Sequence, residues 1–276
     1  MNRRFQWPAF RTIAPDLVAF GIGLGMAWFF HWKTTDLVWS LWLGSLVLGY
    51  LTILSTIAGG VYIGITVLLR GEMSARARLG LGALGATVAL FFLGFFSLHF
   101  CGFHAGHAGF LSHFFPLDGV PPTAFFEGFM NPFVLWKAAI QYVVPLYGLF
   151  LIPVVIAERR NVFDSILEAR RAMKQFPENA KVDQLAQDRI GRAKTTKDAF
   201  SRPYVNVIRM HLLIFFFAFC QMLKVESFFV YAVVYFVYFF PWRAFREDPQ
   251  DAVAEESKAG LERKDKSQEA AGDREL

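Results

Sequence analysis

An all-α, polytopic transmembrane bundle of about six spans is the fold the sequence predicts. Three observations carry it: an apolar composition, a series of apolar runs of membrane length, and basic residues gathered in alternate loops. Of the 276 residues 55% are hydrophobic, 17% aromatic and only 18% charged. A soluble domain of this size shows more charge and hides its aromatics in one core. Thirty-two phenylalanines exceed what such a core holds, whereas lipid tails accept them without penalty.

The runs follow in order. A hydrocarbon layer of roughly 30 Å needs about 20 apolar residues in helix. Ile13 to Phe30 is the first, broken only by Pro15 and Asp16 near its start. Leu37 to Leu69, Leu79 to Phe115, Phe133 to Ala157, Val205 to Leu223 and Ser227 to Trp242 are the second to sixth. The first run ends in Trp28, Phe29, Phe30, His31 and Trp32, an interfacial cluster rather than a small-residue cleavage site, so it reads as a retained helix.

Lysine and arginine stay on the untranslocated side of a membrane. Arg3, Arg4 and Arg11 precede the first run, and Arg70, Arg76 and Arg78 separate the second and third. Eleven basic residues lie between Glu158 and Arg202, and seven follow Trp242. The opposite loops hold only Lys33, Lys137 and Lys224. An even number of spans with both termini cytoplasmic places every loop correctly, in an inner (plasma) membrane. The net charge of +5 is then a product of topology and gives no reason to expect nucleic acid as a partner.

Four regions result: residues 1–157 with four spans, 158–201 as a cytoplasmic helical connector, 202–242 with two spans, and 243–276 as a charged, disordered tail. In the connector, Asn161 is placed to cap a helix with Val162, Ile166, Met173 and Phe176 on one side, ended by Pro177. A second stretch has Val182, Leu185, Ala186 and Ile190 at helical spacing. The connector either lies on the anionic leaflet or packs on the bundle.

The second and third runs extend roughly 50 Å each as helix, more than a bilayer requires. They are expected to tilt, or to project from the outer surface under a cover made by residues 116–131 or by a partner protein. Small residues share one face of the second run at Ser45, Gly49, Thr52, Thr56 and Gly59, and of the third at Gly94, Gly102, Gly106 and Gly109. Such faces bring membrane helices close, and these two are expected at tight contacts, with each other as one arrangement.

Five of the six histidines fall in the apolar runs or at their ends: His99, His104, His107, His113 and His211. Titratable groups in a bilayer mark a function or a buried pairing. His104 and His107 are three apart, about 60° around the helix and opposite the glycine face, which suits a transition metal or one side of a haem or chlorophyll site. His99 and His107 stand roughly 12 Å apart along the axis, too far to ligate one ion. Counted from Arg78, the group sits at or beyond the outer boundary, level with Trp39 and Trp42. Structural hydrogen bonding, metal or tetrapyrrole ligation, and a proton-linked role all remain open. With no dense ligand motif the cofactor stays unassigned. Cys101 and Cys220 read as small apolar filler.

No run holds a carboxylate at its middle, no pair of broken half-helices stands out, and phosphate-loop and nucleophile-elbow motifs are missing. The sequence therefore leans away from an enzyme without deciding the point, and reads as an accessory subunit of a larger membrane complex first, a metal- or tetrapyrrole-binding redox protein second, a transporter third. Its expected partners are the lipid bilayer and other membrane subunits.

Three stretches resemble a family of polytopic prokaryotic membrane proteins, domain of unknown function 6498. They are Trp42-Leu43-Gly44-Ser45-Leu46-Val47-Leu48-Gly49, His99 through Gly109, and Pro203-Tyr204 with Arg209-Met210-His211-Leu212. The resemblance implies a shared membrane fold and matches His99, His107 and His211 to the family's histidines, as candidate cofactor-binding residues. The family's glutamate after the Trp-Leu pair falls on Gly44, a departure that puts any activity depending on it in doubt. No reaction is established for that family.

Overall fold

The computed structural model describes residues 10–70, 73–174, 212–213, 215–220, 223 and 228–239. All regular structure among them is helical: α1 (Phe10–Phe29), α2 (Thr34–Arg70), α3 (Ala75–Phe114), a short 3-10 turn (Phe126–Gly128), α4 (Pro132–Ala138), α5 (Val144–Tyr147), α6 (Leu151–Lys174) and α7 (Phe228–Phe239). Thr34–Arg70, Ala75–Phe114 and the helical stretch Pro132–Lys174 are each long and apolar enough to cross a membrane. Most of the fifth predicted run, His211, Phe176, Pro177, the stretch from Val182 to Ile190 and the tail lie outside the described residues.

α2 is the central helix, with α3 on one flank and α6 on the other. α1 packs on α6, and α7 on α1. The turn between α1 and α2 defines the upper end of the bundle. There Trp32 N–H donates to Ala27 and His31 N–H to Trp28, closing α1 with His31 at a positive φ of 53°. That pattern of two reversed bonds around a left-handed residue is a Schellman stop, a position glycine usually fills.

Between α3 and α6 the chain dips and returns. Phe125 lies among the rings of Trp39 and Trp42, while the carbonyl of Phe129 faces Gly102 lower on α3. Trp136 then meets Tyr50, Tyr142 meets Phe125, and Tyr147 is back at Asp36 beside the upper turn. Residues 132–147 thus climb along α2. α6 descends along it, with Val154 near Gly44, Ser165 at Thr56 and Met173 at Arg70.

Proline chemistry explains the reversal. Pro145 lacks an N–H to donate, and ahead of it the helix widens to a π-turn, Ala139–Val143, with Val144 N–H reaching Ala139. Tyr147 leaves helical geometry at φ −124°, ψ 2°, and a 3-10 turn, Gly148–Phe150, leads into α6. π-turns, proline and glycine are the usual sites of sharp bends. The fourth run is therefore bent, whereas Phe133 to Ala157 reads in sequence as one crossing. The helix expected to start at Asn161 is instead the lower part of α6. Val162, Ala169 and Met173 are buried on its inward side, so between the two placements of this segment it packs on the bundle.

The small-residue faces do not meet each other. Ser45 and Gly49 receive α3 through His104 and the ring of Phe100, whereas Thr56 and Gly59 receive α6 at Ser165. On α3, Gly102 and Gly109 face Phe129 and Phe126 of the returning segment, and Gly94 and Gly106 border open space. Gly49 is matched by the ring of Phe100, whereas Gly59 admits the backbone of Ser165 and the methyl of Ala169.

Cover is uneven along α2 and α3. The upper ends of α2 and α3 are covered by residues 115–147, whereas toward the lower end α6 follows α2 as far as Arg70 and the other faces of both helices expose apolar side chains. Asp16 of α1 pairs with Arg159 of α6, roughly 20 Å below Phe29 along α1. α2 continues another ~20 Å below Thr56, exposing Val61, Ile65 and Leu69, and α3 exposes Leu79, Leu84, Leu90 and Phe91 beside it.

Candidate functional site

The upper half of α3 holds the histidines, and its neighbours divide them into two environments. On the side toward α2, His104 is completely buried. Its Nδ1 lies 3.0 Å from the Phe100 carbonyl and its Nε2 3.3 Å from Ser45 Oγ. A carbonyl only accepts, so Nδ1 carries the proton, and in the neutral ring Nε2 accepts from the Ser45 hydroxyl. Trp42 Nε1 donates to the His104 carbonyl at 2.9 Å, and Trp39 Nε1 to the Phe115 carbonyl at 2.8 Å. Two indoles and an imidazole thus bind the two helices together, and an orphan carbonyl at the end of α3 finds a donor.

His107 stands with its ring centroid 6.0 Å from that of His104, the planes at 70°. Ligation of one metal by the pair requires the His104–Ser45 bond to open first. Among the described residues no group of three or more His, Cys, Asp or Glu side chains comes together. The pair is level with Trp42, as expected, ~12 Å below Thr34 along α2.

On its other side α3 opens into a groove of about 600 Å³. His99 and His107 both line it, with Gly102 and Gly106 as floor between them and Phe95, Phe103 and Phe110 as ridges. Phe129 and Met130 of the returning segment form one wall, and Phe215 stands on the other side. The imidazoles were expected opposite the glycines. For His107 that fails, because only about 100° separates consecutive residues on a helix. His99 is exposed there, its ring stacked on Phe95 at 5.5 Å and met edge-on by Phe103 at 5.0 Å.

Polar groups elsewhere in the bundle tie helices. Asp36 accepts from the Tyr147 hydroxyl at 2.9 Å and from Lys33 N–H at 2.7 Å, anchoring the top of the bend to the upper turn. Tyr50 lies within rings of Phe96, Phe100 and Trp136, its hydroxyl 3.1 Å from Cys101 Sγ. Cys101 is buried filler with one polar neighbour. Sequence reasoning missed Asp36, Tyr147 and the Asp16–Arg159 pair, whose partners are more than a hundred residues apart. The proline and glycine of the 145–148 stretch were the available signal for the bend that brings Tyr147 back.

Comparison with protein-family models, with curated proteins and with solved structures finds no match.

Proposed function

We propose that this chain is a multi-pass membrane protein, N-in and C-in, that serves as a non-catalytic subunit of a larger membrane assembly. The observation that carries the reading is the exposed apolar surface at the lower end of the α2–α3 hairpin, on the faces that α6 leaves open. Leu69 and Leu79 are 72% and 77% exposed. α6 carries Arg159 and Arg160 above the level of Thr56, and Glu168, Arg170 and Arg171 below it. Charges of that kind belong at or below the cytoplasmic headgroups. A helix that is apolar all round at the same level requires cover from another apolar surface. A partner's membrane helices supply it.

The returning segment 116–147 supports the topology. It enters and leaves at the upper end, so it leaves the parity of the crossings unchanged and keeps α6's basic residues cytoplasmic. Within it Phe125 and Gly128 are buried, while Phe126, Glu127, Phe129 and Met130 are exposed.

Gentle detergent extraction from the native membrane, followed by native mass spectrometry, tests the assignment. The account expects a species well above 31.4 kDa containing a second polypeptide. A monodisperse monomer with no co-purifying protein contradicts it. A ligand-holding role for His99 and His107 is a second reading, favoured by the groove they share.

A further inference from the structure

We propose that the basic lower tip of the bundle, where the α2–α3 turn meets the end of α6, is the docking site for an acidic segment of this same chain, residues 247–256. The inference rests on the N-in, C-in orientation, which puts tip and segment on one side of the membrane. The match of charge between them holds whatever the orientation.

The fold gathers the cations. Arg70 ends α2, and its guanidinium donates to the Met173 carbonyl in the last turn of α6. That contact puts the end of α6, with Arg170, Arg171 and Lys174, at the turn from which Arg76 and Arg78 open α3. All six side chains are exposed, and among the described residues they form no ion pair. Glu72 and Glu168 are the carboxylates nearest in sequence, so the tip keeps an excess of positive charge. Helix dipoles explain part of it, because Arg70, Arg171 and Lys174 lie at helix C-termini, which favour cations. Arg76 and Arg78 lie at a helix N-terminus with no acidic residue in its first turn, where cations are disfavoured. An anion seated at the tip relieves that repulsion through charge-assisted bonds to the guanidiniums.

The sequence supplies such an anion beyond the sixth run. Residues 247–256 hold Glu247, Asp248, Asp251, Glu255 and Glu256 and no lysine or arginine, whereas residues 257–276 carry as many cations as carboxylates. The charge is therefore concentrated in one block. Chain length allows the contact. Tyr235 of α7 lies against Phe20 and Gly23 of α1. From there the tip is roughly 30 Å along the helices, down α1 to Asp16, across to Arg159 and down α6 to Met173. The chain from Tyr235 to Glu247 extends to about 40 Å at most, and the block itself adds about 30 Å. Five carboxylates thus come within reach of six cations.

The test uses the full chain in detergent, in a background lacking Cys101 and Cys220, with Ala77→Cys at the tip and Ala254→Cys in the block. A short bifunctional maleimide joins the two, and a denaturing gel separates linkage within one chain from linkage between chains. Linkage within one chain is expected roughly fivefold faster than in a control with Leu84→Cys, ~10 Å further up α3. About 0.5 M salt should slow it about threefold, as should Arg76→Glu with Arg78→Glu. Adding Glu255→Lys and Glu256→Lys to that pair should restore the rate. Melting temperatures show that each variant is folded. Equal rates at positions 77 and 84, rates unmoved by salt, no recovery in the charge-swapped protein, or linkage between chains overturns the docking. Loss of linkage on adding an anionic phospholipid to the micelles also overturns it, and gives the tip to lipid headgroups. Orientation plays no part in detergent, so its failure appears in labelling of intact cells and not in these rates.

Discussion

Trp42 of α2 donates its indole N–H to the backbone carbonyl of His104 on α3, 2.9 Å away, and the ring of that same His104 meets Ser45 one turn further along α2. One residue of α3 thereby receives two contacts from one face of α2. Trp42→Phe keeps the ring and loses the bond, and should cost about 1 kcal/mol. Ser45→Ala should cost about 0.6 kcal/mol, typical of a single hydrogen bond between membrane helices. Trp42→Ala also empties a fully buried site and should cost ~3–5 kcal/mol. Reversible unfolding in mixed micelles measures all three, and a Trp42→Phe penalty matching Trp42→Ala would contradict the division.

Gly59 gives a steric test. An added Cβ would stand 2.8 Å from the backbone oxygen of Ser165, which cannot rotate away. Gly59→Ala should push α6 off α2 and cost ~1–3 kcal/mol. Gly60, its neighbour, faces open space, so Gly60→Ala should be neutral or slightly stabilising through helix propensity. Equal melting temperatures for the two variants would show that α6 does not lie where the structure has it.

His31 sits in the left-handed region at the stop of α1. A side chain there costs roughly 1–2 kcal/mol relative to glycine. His31→Gly should raise stability by about 1 kcal/mol, and His31→Val should lower it. The melting temperatures of the pair check the sign.

Asp16 and Arg159 join the start of α1 to the middle of α6, with side chains 16% and 29% exposed. Asp16→Asn should destabilise by about 1 kcal/mol, the partial exposure keeping the figure low. Asp16→Asn combined with Arg159→Met should recover most of the loss, since no charge is then left alone. An additive double variant would mean the two residues act separately.

Much of this fold is legible from residue order. Apolar length predicts α1 to α3 to within a few residues, because each helix satisfies its own backbone and needs only its own segment to be apolar. The level of Trp42 beside the histidines follows from counting 1.5 Å per residue. Other features depend on the partner, which no local pattern names. Residues 133–157 carry a run of ordinary span length, and although Pro145 and Gly148 mark a bend, it is the contacts of Trp136 with Tyr50, Tyr147 with Asp36 and Val154 with Gly44 that reveal the segment doubling back. The same holds for the histidines. Their spacing of three suggests a shared ligand, whereas α2 takes His104 and leaves His107 and His99 to the groove. The glycine faces were visible as faces, but each is filled by a phenylalanine or a backbone that the sequence does not point to.

The central claim is that the chain crosses a bilayer, with residues 116–147 dipping in and back out on the side of the α1–α2 turn. Single cysteines at Asp118, Met130 and Glu168, placed in a background lacking Cys101 and Cys220 and probed on intact cells with a membrane-impermeant maleimide, measure it directly. The account predicts that the cysteine at 118 labels at once, that the one at 168 labels only after the membrane is permeabilised, and that the one at 130 is protected until detergent is added. Labelling of position 168 from outside, or recovery of the polypeptide from the aqueous fraction without detergent, would contradict it.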